Sequence, residues 1–200
     1  MGTILGLRKT RLTLVLAVLA LAAGGGVLAS GVFASSEPQV PPAPVSTAIS
    51  EQLTEHFAIL NAPSATDVPT GVKEVDVGLN EQWGLNTSLA REVSYDSAAP
   101  AIWVIPGSTG ICIHVMTEVG QGGCTSLKNA LAGNLQIEVG GKTVYGVAPN
   151  GNSGVLVHDT DGSTERVAVH QNVYIISKPG AQSLDLTNGA GQPETVSIKE

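Results

Sequence analysis

From Pro100 onward the chain alternates short apolar and polar runs, broken by turns rich in glycine, serine and aspartate. Apolar positions two apart mark half-buried strands, and the breaks mark the turns between them. Residues 101–105 and 111–116 flank Pro106-Gly107-Ser108-Thr109-Gly110 and predict a hairpin. Residues 135–139 and 142–147 flank Gly140-Gly141, a two-residue hairpin signal. Residues 155–159 and 165–170 flank Thr160-Asp161-Gly162, and further strands are expected at 173–177, 183–186 and 195–198. Residues 126–132 form a helix-sized insert, with Gly133 at the position that commonly comes after a helix end.

The hairpin around Gly162 carries its own test. A three-residue loop at 160–162 places Gly162 where a positive φ is needed and pairs Val155 with Val167. Val155, Val157, Val167 and Val169 then share one face, and Leu156, His158, Arg166, Ala168 and His170 share the other. A two-residue Asp-Gly turn would mix the valines with Arg166. One apolar face and one largely polar face is the habit of an antiparallel sheet.

The first half of the chain is less patterned. Ser50 before Glu51 and Gln52 reads as a helix N-cap, and Leu53, Phe57 and Leu60 recur at helical spacing. A short amphipathic helix is therefore expected over 51–60. Residues 61–71 read as loop, and Leu85, Leu89 and Val93 predict a second short helix near 86–93. The expected fold class is α+β: mainly antiparallel β, with one or two short N-terminal helices and one helical insert.

The start of the chain is a different object. Arg8, Lys9 and Arg11 precede 23 consecutive uncharged residues, 12–34. The strongly apolar part, 12–23, has the length of a signal-peptide core, and Val32-Phe33-Ala34 offers small residues at the −3 and −1 positions of a cleavage site. A helix of 23 residues, at about 1.5 Å per residue, also reaches across a bilayer core of about 30 Å. A cleaved signal (1–34) and a retained single-pass anchor both remain open, and both export the rest of the chain. Residues 35–50, SSEPQVPPAPVSTAIS, read as a semi-rigid Pro/Ser/Ala-rich linker, and 51–200 as the exported β-rich domain.

Charge sharpens that division. The chain has 17 acidic and ten basic residues, a net charge of −7. Three of the bases lie in residues 1–34, so the exported part sets 17 acids against seven bases, a net of −10. A nucleic-acid partner, which needs a basic patch, is excluded on these grounds. Export also accounts for Cys112 and Cys124, which are expected to form one structural disulfide. A loop of that size stabilises by roughly 3 kcal/mol. Two cysteines alone do not saturate a structural zinc, and their spacing is not Cys-x-x-Cys.

Four other features bear on chemistry. Gly151-Asn152-Ser153-Gly154 resembles the nucleophile segment of trypsin-like serine proteases, and His56 and Asp96 precede it in that family's His–Asp–Ser order. The plainer reading is a polar turn entering the next strand, with Ser153 kept as the candidate nucleophile of the alternative. Gly141-Lys142-Thr143 lacks the first glycine of a phosphate-binding loop, because Gln136 stands there. Asp159 and Asp161 are candidates for a two-carboxylate calcium contact, although Val157 and Ala168 occupy the first and last ligand positions of an EF-hand register. His56, His114, His158 and His170 show no spacing that fixes two on one element, so they read as unrelated surface or boundary residues.

The run WVIPGSTGIC at 103–112 occurs together with GGC at 122–124, VYGVAPNG at 144–151, Asp161-Gly162 and NVY at 172–174. As a set these motifs resemble exported proteins of soil actinobacteria that have no known activity, over about residues 50–188. The resemblance implies export, paired cysteines and a β-rich body, and it carries no functional residues. The expected function is that of an exported non-enzymatic domain binding a ligand, a wall component or a protein. The alternative is an extracellular Ser/His-type hydrolase. No cofactor is expected, and the membrane is a partner through the N-terminal segment if that segment is uncleaved.

Overall fold

The computed structural model describes residues 49–75, 82–95 and 99–198. The segment read as signal or anchor, most of the 35–50 linker, and Asp96 lie outside the described residues. Among the described residues no helix is long and apolar enough to cross a membrane.

Among the described residues eleven strands form three antiparallel sheets; the alternating pattern predicted nine of them, and those at 91–93 and 121–126 were not expected. The first sheet takes β1 (Arg91–Val93), β2 (Ile102–Pro106), β3 (Gly110–Val115) and β4 (Gln121–Ser126), in that order. The second takes β5 (Leu135–Val139), β6 (Thr143–Val147) and β9 (Val173–Ile176). The third runs in the order β11 (Pro193–Ser197), β10 (Ala181–Thr187), β7 (Gly154–Asp159) and β8 (Thr164–Ala168). Short helices α1 (Glu51–His56), α2 (Thr70–Lys73) and α3 (Leu127–Leu131) accompany them. The fold is therefore α+β and rich in strand.

The inner strands of the second sheet, β6 and β9, are buried on both faces. Tyr145, Val147 and Val173 face a core built with Leu53, Phe57 and Leu60 from the N-terminal segment and Val104, Ile111 and Ile113 from the first sheet. Val144, Tyr174 and Ile176 face the other way, against Val155, Val157, Leu184 and Val196 of the third sheet. The opposite face of the first sheet carries Trp103, Ile105 and Cys112 and is covered by Val68, Val72 and Leu85. The outer face of the third sheet is left to solvent.

Both predicted strands around Gly162 pair as expected. Val155 opposes Val167, Gly162 has φ 82°, and its N–H donates to Asp159 O at 3.0 Å. Ser126 caps α3 by accepting from Asn129 N at 3.3 Å, and Gly133 comes after the helix with φ 78°. Around Gly140-Gly141 the expectation needs correcting. Val139 pairs with Thr143, so Lys142 joins the glycines in a three-residue loop.

Two helix expectations also change. The predicted helix over 51–60 stops at His56; Phe57 turns extended (φ −132°, ψ 94°), and a 3-10 turn occupies Ala58–Asn61. The break is held from far along the chain. Asn150 donates its backbone N–H to His56 O at 2.8 Å and its amide N–H to Glu55 O at 2.7 Å, and it accepts from Ala58 N at 2.8 Å. Asn172 adds a bond from Ile59 N at 3.0 Å and donates to Ala148 O and to Asn150 Oδ1. The helix expected at 86–93 is instead a 3-10 turn, Thr87–Leu89, followed by β1. Arg91 is buried there and donates to the carbonyls of Leu60, Ala62, Leu89 and Ala90. Its burial lowers the guanidinium pKa. Residues 61–71, read as loop, include the start of α2.

One close approach fixes the middle layer. Gly146 pairs with Tyr174, and a Cβ at Gly146 would come within 2.1 Å of Tyr174 Cζ. The ring therefore lies directly over the glycine, and its hydroxyl is buried without a hydrogen-bond partner. Burial raises the phenol pKa far above its usual value. Gly146→Ala should lower stability in urea unfolding by about 1–3 kcal/mol, as overpacking does. Tyr174→Phe removes a polar group that bonds to nothing, so stability should stay level or rise. A large loss in Tyr174→Phe would contradict the packing described.

Candidate functional site

The outer face of the third sheet is built in rows across its strands. Register places Leu156 of β7 opposite Arg166 of β8 on one side and Asp185 of β10 on the other, and Asp185 opposite Thr195 of β11. The next row runs Thr164, His158, Ser183 and Ser197. Strands lie about 4.8 Å apart, so Arg166 and Asp185 stand about 10 Å apart across an exposed leucine.

The polar groups of this face are tied to one another. Thr195 Oγ1 donates to Asp185 Oδ1 at 2.7 Å, and Asp185 Oδ2 lies 2.8 Å from His158 Nε2. These bonds, from Thr195 first and His158 second, hold the Asp185 carboxyl below the usual carboxylate range. Arg166 Nη2 donates to Ser153 Oγ at 3.0 Å. A depression of about 280 Å³ opens at this end of the face, lined by Ser153, Gly154, Leu156, Arg166, Asp185, Thr187 and Pro193 among others.

Ser153 thus sits beside an arginine. Its Oγ is bonded to Arg166, and among the described residues no histidine is hydrogen-bonded to it. His158 lies five residues along β7, a rise of roughly 16 Å. The His170 ring packs edge-on against Tyr95, with centroids 5.4 Å apart, and His114 lies on the first sheet. Burial lowers the His114 pKa, and its Nε2 is enclosed without a partner. The asparagine inside the Ser153 segment acts on the backbone. Asn152 donates to Pro149 O and Thr187 O and accepts from Thr187 N at 2.7 Å.

Asp159 and Asp161 face different partners. Asp159 is buried, with Oδ2 2.5 Å from Lys178 Nζ and Oδ1 enclosed without a hydrogen-bond partner. Asp161 Oδ1 accepts from Ser163 N at 2.8 Å within its own turn, and the Ser163 hydroxyl first, with this backbone bond second, lowers the Asp161 pKa. The neighbouring carboxylates raise the Lys178 pKa, Asp159 foremost through its hydrogen bond. Among the described residues no group of three or more His, Cys, Asp or Glu side chains is placed to hold a metal ion. Cys112 and Cys124 are bonded as a disulfide between directly opposed positions of β3 and β4, with Cα atoms 4.1 Å apart.

The strand pattern alone places Leu156, His158 and Arg166 on one polar face but misses Asp185 and Thr195, which complete it. The available signal was Leu156 itself, an apolar residue out of phase with its strand.

The lowered Asp185 pKa fixes a sign. Its stabilisation is fully present above the unfolded value near 4 and is lost as pH falls through the lower folded value. The stability difference between wild type and Asp185→Asn, measured by urea unfolding, should therefore shrink on acidification below about pH 4. In a carboxyl ¹³C titration, Thr195→Val should raise the Asp185 pKa. A pKa unmoved by that change would remove the threonine from the account.

Compared with protein-family models, curated proteins and solved structures, the chain matches none, so the functional reading rests on its own residues.

Proposed function

We propose that the chain is an exported, non-catalytic binding domain, held at the outer face of the membrane by an uncleaved anchor or released after signal cleavage. The observation that carries this reading is the solvent-facing third sheet, where Arg166, Leu156 and Asp185 stand in one row across three strands. A cation, an apolar side chain and an anion held in register by backbone pairing suit recognition, since each position is preset before a partner arrives.

Three further features support export. The basic-then-apolar order of residues 8–34 is the arrangement that translocates the downstream chain. The Cys112–Cys124 disulfide is compatible with an oxidising compartment outside the cell. The motifs between 103 and 174 resemble those of exported actinobacterial proteins, which points the same way. An acidic exported part also favours a ligand, wall component or protein over nucleic acid as the partner.

The test is direct. A C-terminal epitope on the full chain should be removed by protease added to intact cells or be found in the medium, and the native protein should gain the mass of two hydrogens on reduction. Alkylating reagents should label Cys112 and Cys124 only after reductant. An epitope protected in intact cells, together with freely alkylated cysteines, would overturn export. Turnover of peptide or ester probes that disappears in Ser153→Ala would overturn the non-catalytic part.

A further inference from the structure

We infer that the depression at the Ser153 end of the third sheet binds the carboxyl terminus of a peptide. The inference rests on the binding-domain reading above and names its ligand class. Its first support is how Arg166 is held. A Cβ at Gly154 would fall 2.9 Å from Arg166 Nε, so the side chain lies along β7 in space that only a glycine leaves free. Arg166 Nη2 then reaches Ser153 Oγ at 3.0 Å. That bond uses one of the five N–H groups of a guanidinium. Among the described residues, no carboxylate pairs with Arg166.

The chemistry of Ser153 adds a second donor. Its oxygen accepts from Arg166, and its own O–H remains free to donate. An anion beside the guanidinium therefore meets charge-assisted donors from two residues. The planar fork of a guanidinium matches the two oxygens of a carboxylate.

The surroundings narrow the ligand further. Leu156 and Val119 are the large hydrophobic side chains exposed among the described residues, and Val119 stands apart in the turn between β3 and β4. Leu156 adjoins Arg166 and offers contact to the side chain of a terminal residue. On its other side Asp185 accepts from Thr195 and pairs with His158, leaving carboxylate lone pairs for a peptide N–H or ammonium. The roughly 10 Å between the Arg166 and Asp185 backbones spans about three residues of extended peptide. A depression of about 280 Å³ suits a chain end of that size. No phenylalanine, tyrosine or tryptophan among the described residues is exposed, so this face offers a sugar no ring to stack on. A phosphate ligand would favour more than the single arginine this face presents.

The test uses the full chain, ¹⁵N-labelled and kept in mild detergent, titrated with Ala-Ala-Ala and with its C-terminal amide. The free tripeptide should shift amide signals of residues 151–156, 166 and 185. The amide should bind at least about tenfold more weakly, the loss expected for a charge-assisted hydrogen-bonded contact. Arg166→Gln should weaken the tripeptide similarly, and Ser153→Ala by a smaller factor, with both spectra otherwise unchanged. Arg166 and Ser153 are exposed, so neither substitution should disturb folding. Equal binding of acid and amide, full binding by Arg166→Gln, or shifts confined to another face would each overturn the inference. A tripeptide that moves no signal, while the epitope remains accessible on intact cells, would sink the carboxylate site and leave the exported binding domain standing. A tripeptide that is cleaved would sink the domain reading as well.

Discussion

Everything else in the molecule is arranged around a sheet whose inner strands, β6 and β9, are covered on both faces. The second sheet lies between the core it shares with the first sheet and the core it shares with the third. Strands buried on both faces lose the polar alternation that a half-exposed strand keeps. Residues 144–147 and Val173–Ile176 carry apolar or aromatic residues on successive positions, and Gly146 provides the one gap that admits the Tyr174 ring. The outer sheets can each be peeled away only by exposing one face of this layer.

Side-chain amides join the N-terminal segment to that layer. Asn150 lies just after β6 and Asn172 just before β9, and together they receive or supply the backbone bonds that α1 gives up where it breaks. Asn172 itself takes a positive φ of 66°, a conformation asparagine tolerates better than most residues. An unpaired buried backbone group costs about as much as a lost hydrogen bond. The break after His56 persists because Asn150 and Asn172 pair the groups it exposes.

Local pattern made some of this legible. The Val155–Val167 pairing, the polar outer face, the Ser126 cap and the cysteine partners came from alternation, turn chemistry and compartment. Where long-range contacts decide, the sequence was silent. Helical spacing of Leu53, Phe57 and Leu60 says nothing about an asparagine nearly a hundred residues later that ends the helix. The glycine-rich strand Gln121–Ser126 has poor intrinsic strand propensity, and it forms because β3 pairs with it and the disulfide closes it. Of the candidate site, the row position of Arg166 and Leu156 was readable. The contribution of Asp185 and Thr195 depends on β10 returning beside β7, which no single segment encodes.

The asparagine clamp also determines how the domain would carry mechanical load. Tension arriving from the N-terminal side would enter the helical segment at Ser50. From there the pull passes along α1 into Asn150 and Asn172, and so into the ends of β6 and β9. A pull applied at Ser50 would therefore load these asparagine bonds before the strand pairings behind them, so the entry segment is bound to the layer it covers by side chains that lie far along the sequence.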